Sequence, residues 1–409
     1  MSAGIFGVHL LDFSAISRLR RLLSWCVIAA GVAWPGTCWA QSAALETPGV
    51  PIPAEPGFLQ NRGAQPRFEA ANKLTAETVA AVRRQQITSV PHFYGTFAFA
   101  GKTFPFTLVG ANPQSGGTTR IPTQLIAVSL FFEDFLDEKG EPLVLGPSPV
   151  LQRVLNSPNF RIASYATGDT QFADAVQRAQ FFRIMGQDWH TLLAPPDLLR
   201  PVVIDVPRGM AKVYRNTTTG AVYALVNTAF FVSHLNTIVQ LEDLRPDALP
   251  IFLTSNIFLA PDLDVKRCCV LGFHTAFETG PPGKSPQVQT LIWASWIDEG
   301  VMSSSVADVT PLSHEISEWM NNPFGTNLVP AWQSPAGTGA CQDNLETADP
   351  VATLPNAAVQ VNIDDFTFHP HNQVLLPWFT RQNPSDTIDG ALSFPDQGLI
   401  TRPSQPCSR

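Results

Sequence analysis

The chain has 409 residues, 44% of them apolar and 15% charged, with a formal net charge of −8. That balance suits a folded chain with a substantial core and excludes an intrinsically disordered one. The acidic excess, with no basic stripe anywhere, excludes nucleic acid as the expected partner.

Arg18, Arg20 and Arg21 form a basic cluster, an apolar run follows from Leu22 to about Trp34, and Pro35-Gly36 breaks it. Cys38-Trp39-Ala40 then precedes Gln41 with small residues at the −3 and −1 positions. This order predicts a secretory signal peptide over 1–40, cut after about Ala40, and a secreted or periplasmic mature chain. A retained span needs about 20 apolar residues, so no stable membrane span is expected after cleavage. Residues 1–40 hold three Arg and one Asp, a net of +2, so the mature chain carries about −10. Cleavage removes Cys26 and Cys38 and leaves Cys268, Cys269, Cys341 and Cys407. An even number in an oxidising compartment predicts two disulfides. Neighbouring cysteines do not easily bridge each other, so Cys268 and Cys269 are expected to reach separately to Cys341 and Cys407, in either pairing. No C-x-x-C spacing supports a cysteine metal site.

From Gln41 the Pro-, Ala- and Gly-rich sequence reads as a flexible leader, carried to residue 85 and including a short helix at 75–85 with Thr75 as N-cap. A β-rich N-terminal part is expected over 86–200. In it, Phe93 to Val109 alternates aromatic and small residues and reads as a hairpin turning at Gly101-Lys102. Thr123 to Phe132 reads as a strand. Residues 171–185 place Phe172, Ala175, Val176, Ala179 and Phe182 at helical spacing. Residues 201–409 are expected to form the metal-binding domain. Lys212 to about Val232 reads as β-rich with a turn at Thr217 to Gly220, and Leu249 to Thr254 as a central strand. Val270 to Phe277 and Gln289 to Trp296 add two more strands, and a helix runs from about Val309 to Asn321. The fold class is α+β, a mixed twisted sheet below and helices above.

The chemistry sits in His314-Glu315-Ile316-Ser317-Glu318. Four residues apart on a helix, His314 and Glu318 project from the same face and can hold one divalent ion. Glu315 lies one step round, where its carboxylate could take a proton from a metal-bound water, the logic of the H-E-x-x-H helix with Glu for the second His. The plainer alternative is an amphipathic helix whose acids face water. Leu312, Ile316 and Trp319 give this helix an apolar side, and Asn321-Asn322-Pro323 gives it a stop. Beyond it, Leu345-Glu346-Thr347-Ala348-Asp349-Pro350 offers two carboxylates in a loop beside Cys341, from which a third ligand can come. His274 is the substrate-facing candidate, against the plainer reading of a hydrogen-bonded core histidine. His369 and His371 read as surface residues of a loop, with a metal site as the alternative, and His92 and His190 as packing residues. Ser303 to Ser305 lack the G-x-S-x-G turn of an exposed nucleophile, and no phosphate or dinucleotide loop is present.

LSHEISEWMNNPF, then VPAW, then a Cys followed by LETADP, resembles exported bacterial proteins of the zincin superfamily. These carry an HExxE helix, a DP or NP turn, a Trp and an acidic E-x-x-D loop. The plant EXORDIUM-like secreted proteins are similar, with a SHELAE helix and an EIGD-like loop. The resemblance covers residues from about 200 to 409. It implies a zincin-like fold with an active-site helix, His314 and Glu318 as metal ligands, Glu315 as general base, and Glu346 or Asp349 as the remaining ligand. The implied cofactor is one divalent ion, zinc above all, and the implied activity is that of a metallopeptidase on a peptide or protein substrate. Zincins proper have His where this chain has Glu318, and an oxygen ligand selects zinc less sharply than imidazole. The alternative function is a non-enzymatic binder of an envelope partner on the same scaffold. A glycoside hydrolase with paired carboxylates is the third and weakest reading.

Overall fold

The computed structural model describes residue 52 and residues 67–280, 285–302, 305–337 and 339–408. The expected signal peptide and almost all of the leader up to residue 66 lie outside the described residues. Residues 67–83, placed in that leader by sequence, form a strand β1 (Arg67–Lys73) and a helix α1 (Ala76–Arg83). Thr75 caps α1 as expected, accepting from the Thr78 amide at 3.2 Å.

The hairpin β2 (His92–Phe99) and β3 (Lys102–Val109) follows. Its turn falls one residue early, at Ala100-Gly101, where both residues have positive φ, 48° and 77°. Two such residues give the turn whose twist matches that of paired strands. Then come β4 (Thr123–Leu136), α2 (Phe172–Gln180), β5 (Ala211–Arg215), β6 (Val222–Asn227) and α3 (Thr228–Leu241). The second half supplies β7 (Leu249–Ser255), β8 (Ile257–Ala260), β9 (Val270–Thr279), β10 (Gln287–Trp296), α4 (Thr310–Asn321), β11 (Leu328–Trp332) and β12 (Gln342–Asn344).

One eleven-stranded mixed sheet organises these elements, its main path running β4-β7-β10-β9-β8-β6-β5 inward from the short edge strand Asp197–Leu198. β7 is parallel to both neighbours and buried along its whole length, which is why its sequence is a continuous apolar run. Side chains alternate between two cores. Leu125, Ile251, Leu253, Ile292 and Ala294 face α4, while Ile126, Phe252, Leu291 and Trp293 join α3 on the other side. Helices therefore cover both faces. The helix α3 departs from the β-rich reading of this stretch, because its β-branched and aromatic residues outvoted an N-cap. Asn227 accepts from the Phe230 amide at 3.0 Å and starts it. At the end of α2 the helix stops at Gln180, so Phe182 leaves the buried face and is 37% exposed. β4, from the first half of the chain, pairs with β7 from the second, so the sheet crosses the expected boundary at 200. Among the described residues no helix is long and apolar enough to cross a membrane.

The cysteines pair differently from expectation. Cys268 bonds Cys269, and Cys341 bonds Cys407. The first two are buried together in the core beside Tyr223 and Phe258, whereas Cys341 and Cys407 are half-buried at β12 and the C-terminal tail. The Cys341–Cys407 bond spans 66 residues of chain. Closing a loop of that size restricts the unfolded chain by about 4 kcal/mol in the entropic account. The Cys341→Ser/Cys407→Ser double variant is expected to lose stability of that order, read as the denaturant midpoint against the parent.

Candidate metal centre

All of α4 is buried, and its sides are spoken for by different neighbours. Leu312, Ile316, Trp319 and Met320 pack on the sheet, with the Trp319 indole donating to Thr290 Oγ1 at 2.9 Å. Gln177 and Gln180 of α2 bond its C-terminal turn, at the Met320 carbonyl (3.0 Å) and Asn321 Oδ1 (3.1 Å). The remaining face carries His314, Glu315 and Glu318 under the loop that follows β12.

The loop is fastened to that face by hydrogen bonds. Glu318 Oε1 accepts from the amides of Ala348 (2.9 Å) and Asp349 (3.2 Å). This leaves Glu318 Oε2 against His314 Nε2 at 3.1 Å, with Asp349 Oδ1 3.6 Å from the same nitrogen. Asn322, the stop residue of the helix, donates to Glu346 Oε1 at 3.2 Å, and Asn344 donates to it at 3.0 Å. Glu346 Oε2 is thereby directed at His274 Nε2, 3.8 Å away. Both of these buried atoms lack a partner in direct hydrogen-bond geometry, while the Glu346 carboxyl also pairs with that of Glu318.

His274 reaches the centre because β9 alternates, with His274 turned to α4 while Phe273 faces the opposite core. Its Nδ1 lies 3.0 Å from Glu315 Oε2. The carboxylate accepts, so Nδ1 carries the hydrogen and Nε2 keeps the lone pair. Gly272 makes room for Glu315, since a Cβ at that position would lie 2.8 Å from both Cγ and Oε1 of the glutamate. Gly272→Ala is therefore expected to push Glu315 off His274 and to lower stability by about 1–3 kcal/mol through overpacking. Thermal or denaturant unfolding of the variant beside the parent measures it.

Two three-residue groups result, His274 with Glu318 and Glu346, and His314 with Glu318 and Asp349. In each, the ligand atoms lie within 4.8 Å of one another, close enough to coordinate a metal ion. Burial holds His274 neutral by lowering its pKa to about 3, and pushes His314 and His371 well below the ordinary range. It raises Glu318 to about 7 and Glu346 well above the carboxylate range. Neutral imidazoles are the ligating form, and carboxylates this reluctant to ionise gain most from a cation.

Thus His314, Glu315, Glu318, Glu346 and Asp349 come together as the sequence pattern expects. His274 joins them fully buried, facing Glu315 and Glu346. His371 is the residue the sequence reading misplaced. It is buried, not on the surface, with its ring 4.9 Å from that of His314. Ser313 Oγ accepts from its amide at 2.8 Å, and Asp308 accepts from the amide and ring of His369, tying the loop to the start of α4. Loop residues carry no periodicity, so the one signal was that two histidines flank a proline. A cleft of about 440 Å³ opens at this end, lined by Arg153, Trp296, Asp298, Asp308, Phe366 and His369, and shares no residue with the two groups. Only Asp349 among the ligand candidates reaches solvent, with its side chain 19% exposed. No protein-family model matches the chain, and no curated protein or solved structure matches it either.

Proposed function

We propose that the protein is an exported metal-dependent hydrolase, a peptidase by substrate class and distantly zincin-like. In this reading His314, Glu318 and Asp349 hold the ion and Glu315 serves as the general base. The observation that carries the reading is that one helix and one loop present three ligands as a set, with solvent touching it at Asp349. Three protein ligands with a further position left for water or substrate is the pattern of catalytic zinc. A bound divalent ion supplies Lewis acidity and brings the pKa of a water down to about 7. The chain supplies the rest. The loop amides of Ala348 and Asp349 fix the Glu318 carboxylate, and burial keeps His314 unprotonated. Glu315, next to His314 on the helix, takes the proton that hydrolysis releases and can return it to the leaving amine.

A second reading, a sealed structural ion in a non-enzymatic exported protein, draws on the burial of Glu315 and its bond to His274. Cleavage of a quenched fluorescent peptide library by the mature chain separates the two. Cleavage abolished by chelation and restored by zinc is the expected result. A zinc-loaded protein that cleaves nothing would leave the sealed centre.

A further inference from the structure

Both candidate groups use Glu318, yet each has its own histidine and its own second carboxylate. His314 and Asp349 stand on one side of it, His274 and Glu346 on the other. The hydrolase reading engages only the first group and leaves the second unused, although two buried polar atoms there lack a partner in direct hydrogen-bond geometry. His274 Nε2 and Glu346 Oε2 face each other at 3.8 Å, in side chains 0% and 3% exposed. Each is prepared for a ligand by its other end. The His274 Nδ1–H bond to Glu315 leaves Nε2 as the lone-pair nitrogen, the carboxylate–histidine arrangement that orients metal-bound imidazoles. The amides of Asn322 and Asn344 occupy Glu346 Oε1 and leave Oε2 turned to the space.

We propose that the centre is dinuclear, with a second divalent ion bound by His274, Glu346 and Glu318, and with Glu318 bridging it to the ion at His314 and Asp349. The inference rests on the metal-binding part of the reading above. In this arrangement Glu315 positions His274 through its hydrogen bond in addition to handling the proton.

Zinc titration of the chelator-stripped mature chain, followed by calorimetry and by the zinc-to-protein ratio after dialysis, tests the proposal. The parent is expected to bind two equivalents. Glu346→Gln keeps the side-chain volume and the amide-accepting oxygen, and is expected to bind one. His274→Ala is also expected to bind one, and so is His314→Ala, which empties the other position. Circular dichroism of each stripped variant establishes that it folds, and Glu346→Gln carries the test if His274→Ala does not. A parent that binds a single equivalent, or a folded Glu346→Gln that still binds two, overturns the second ion and leaves the single-ion reading standing. No zinc in the parent removes both.

Discussion

Replacing His314 by Ala is expected to cost one zinc equivalent and to weaken affinity at that position by more than about 100-fold, beyond the 10–100-fold typical of losing an orienting group alone. The imidazole nitrogen stands 3.1 Å from Glu318 Oε2 and 3.6 Å from Asp349 Oδ1, so it is the common neighbour of both carboxylates. Without it the remaining pair of oxygens offers no nitrogen donor to distinguish zinc from harder cations. The loss also appears in stability. A ligand that binds only the folded chain adds about 2.7 kcal/mol at a concentration 100-fold above its Kd. His314→Ala should forfeit this increment from that position, measured as the difference between denaturation with and without zinc. Comparing each protein with itself separates metal loss from the cavity that the truncation leaves. An unchanged zinc increment would mean that His314 is not a ligand.

Glu315→Gln is expected to keep zinc and lose hydrolysis. Glutamine retains an oxygen that accepts from His274 Nδ1, so the 3.0 Å bond and the tautomer of His274 survive the change. It cannot take a proton. Loss of a general base lowers turnover by about 10²–10⁴-fold. Peptide cleavage by the zinc-loaded variant and parent reads this directly. Equal rates would assign Glu315 to holding His274 and nothing more.

Much of this was legible in the sequence wherever side-chain period and burial coincide. β7 reads as a central strand because Leu249 to Thr254 is apolar without interruption and is buried between two parallel neighbours. The helix α4 reads from the spacing of Leu312, Ile316 and Trp319 and from the Asn322-Pro323 stop, and the same spacing puts His314 and Glu318 on one face. What failed had at most a weak local signature, such as the Asn227 cap of α3. The start of α3 looked like strand because Phe230, Phe231 and Val232 favour one, and its burial against the far face of the sheet decided otherwise. The Cys341–Cys407 bond depends on which distant segments meet in space, which spacing does not encode, and Cys268–Cys269 joins the immediate neighbours that were expected to reach apart. His371 enters the centre through a backbone bond to Ser313, an interaction open to any residue type at that position. His274 was visible as a buried histidine, but its neighbours Glu315 and Glu346 lie 41 and 72 positions away along the chain.

The central claim is that α4 grips a metal ion, and anomalous diffraction from crystals grown with zinc tests it most directly. A peak at the zinc edge about 2.0–2.2 Å from His314 Nε2, Glu318 Oε2 and Asp349 Oδ1 is the predicted result. Zinc-grown crystals with no peak there, or with their only strong peak at the Asp308–His369 pair beside the cleft, would contradict it.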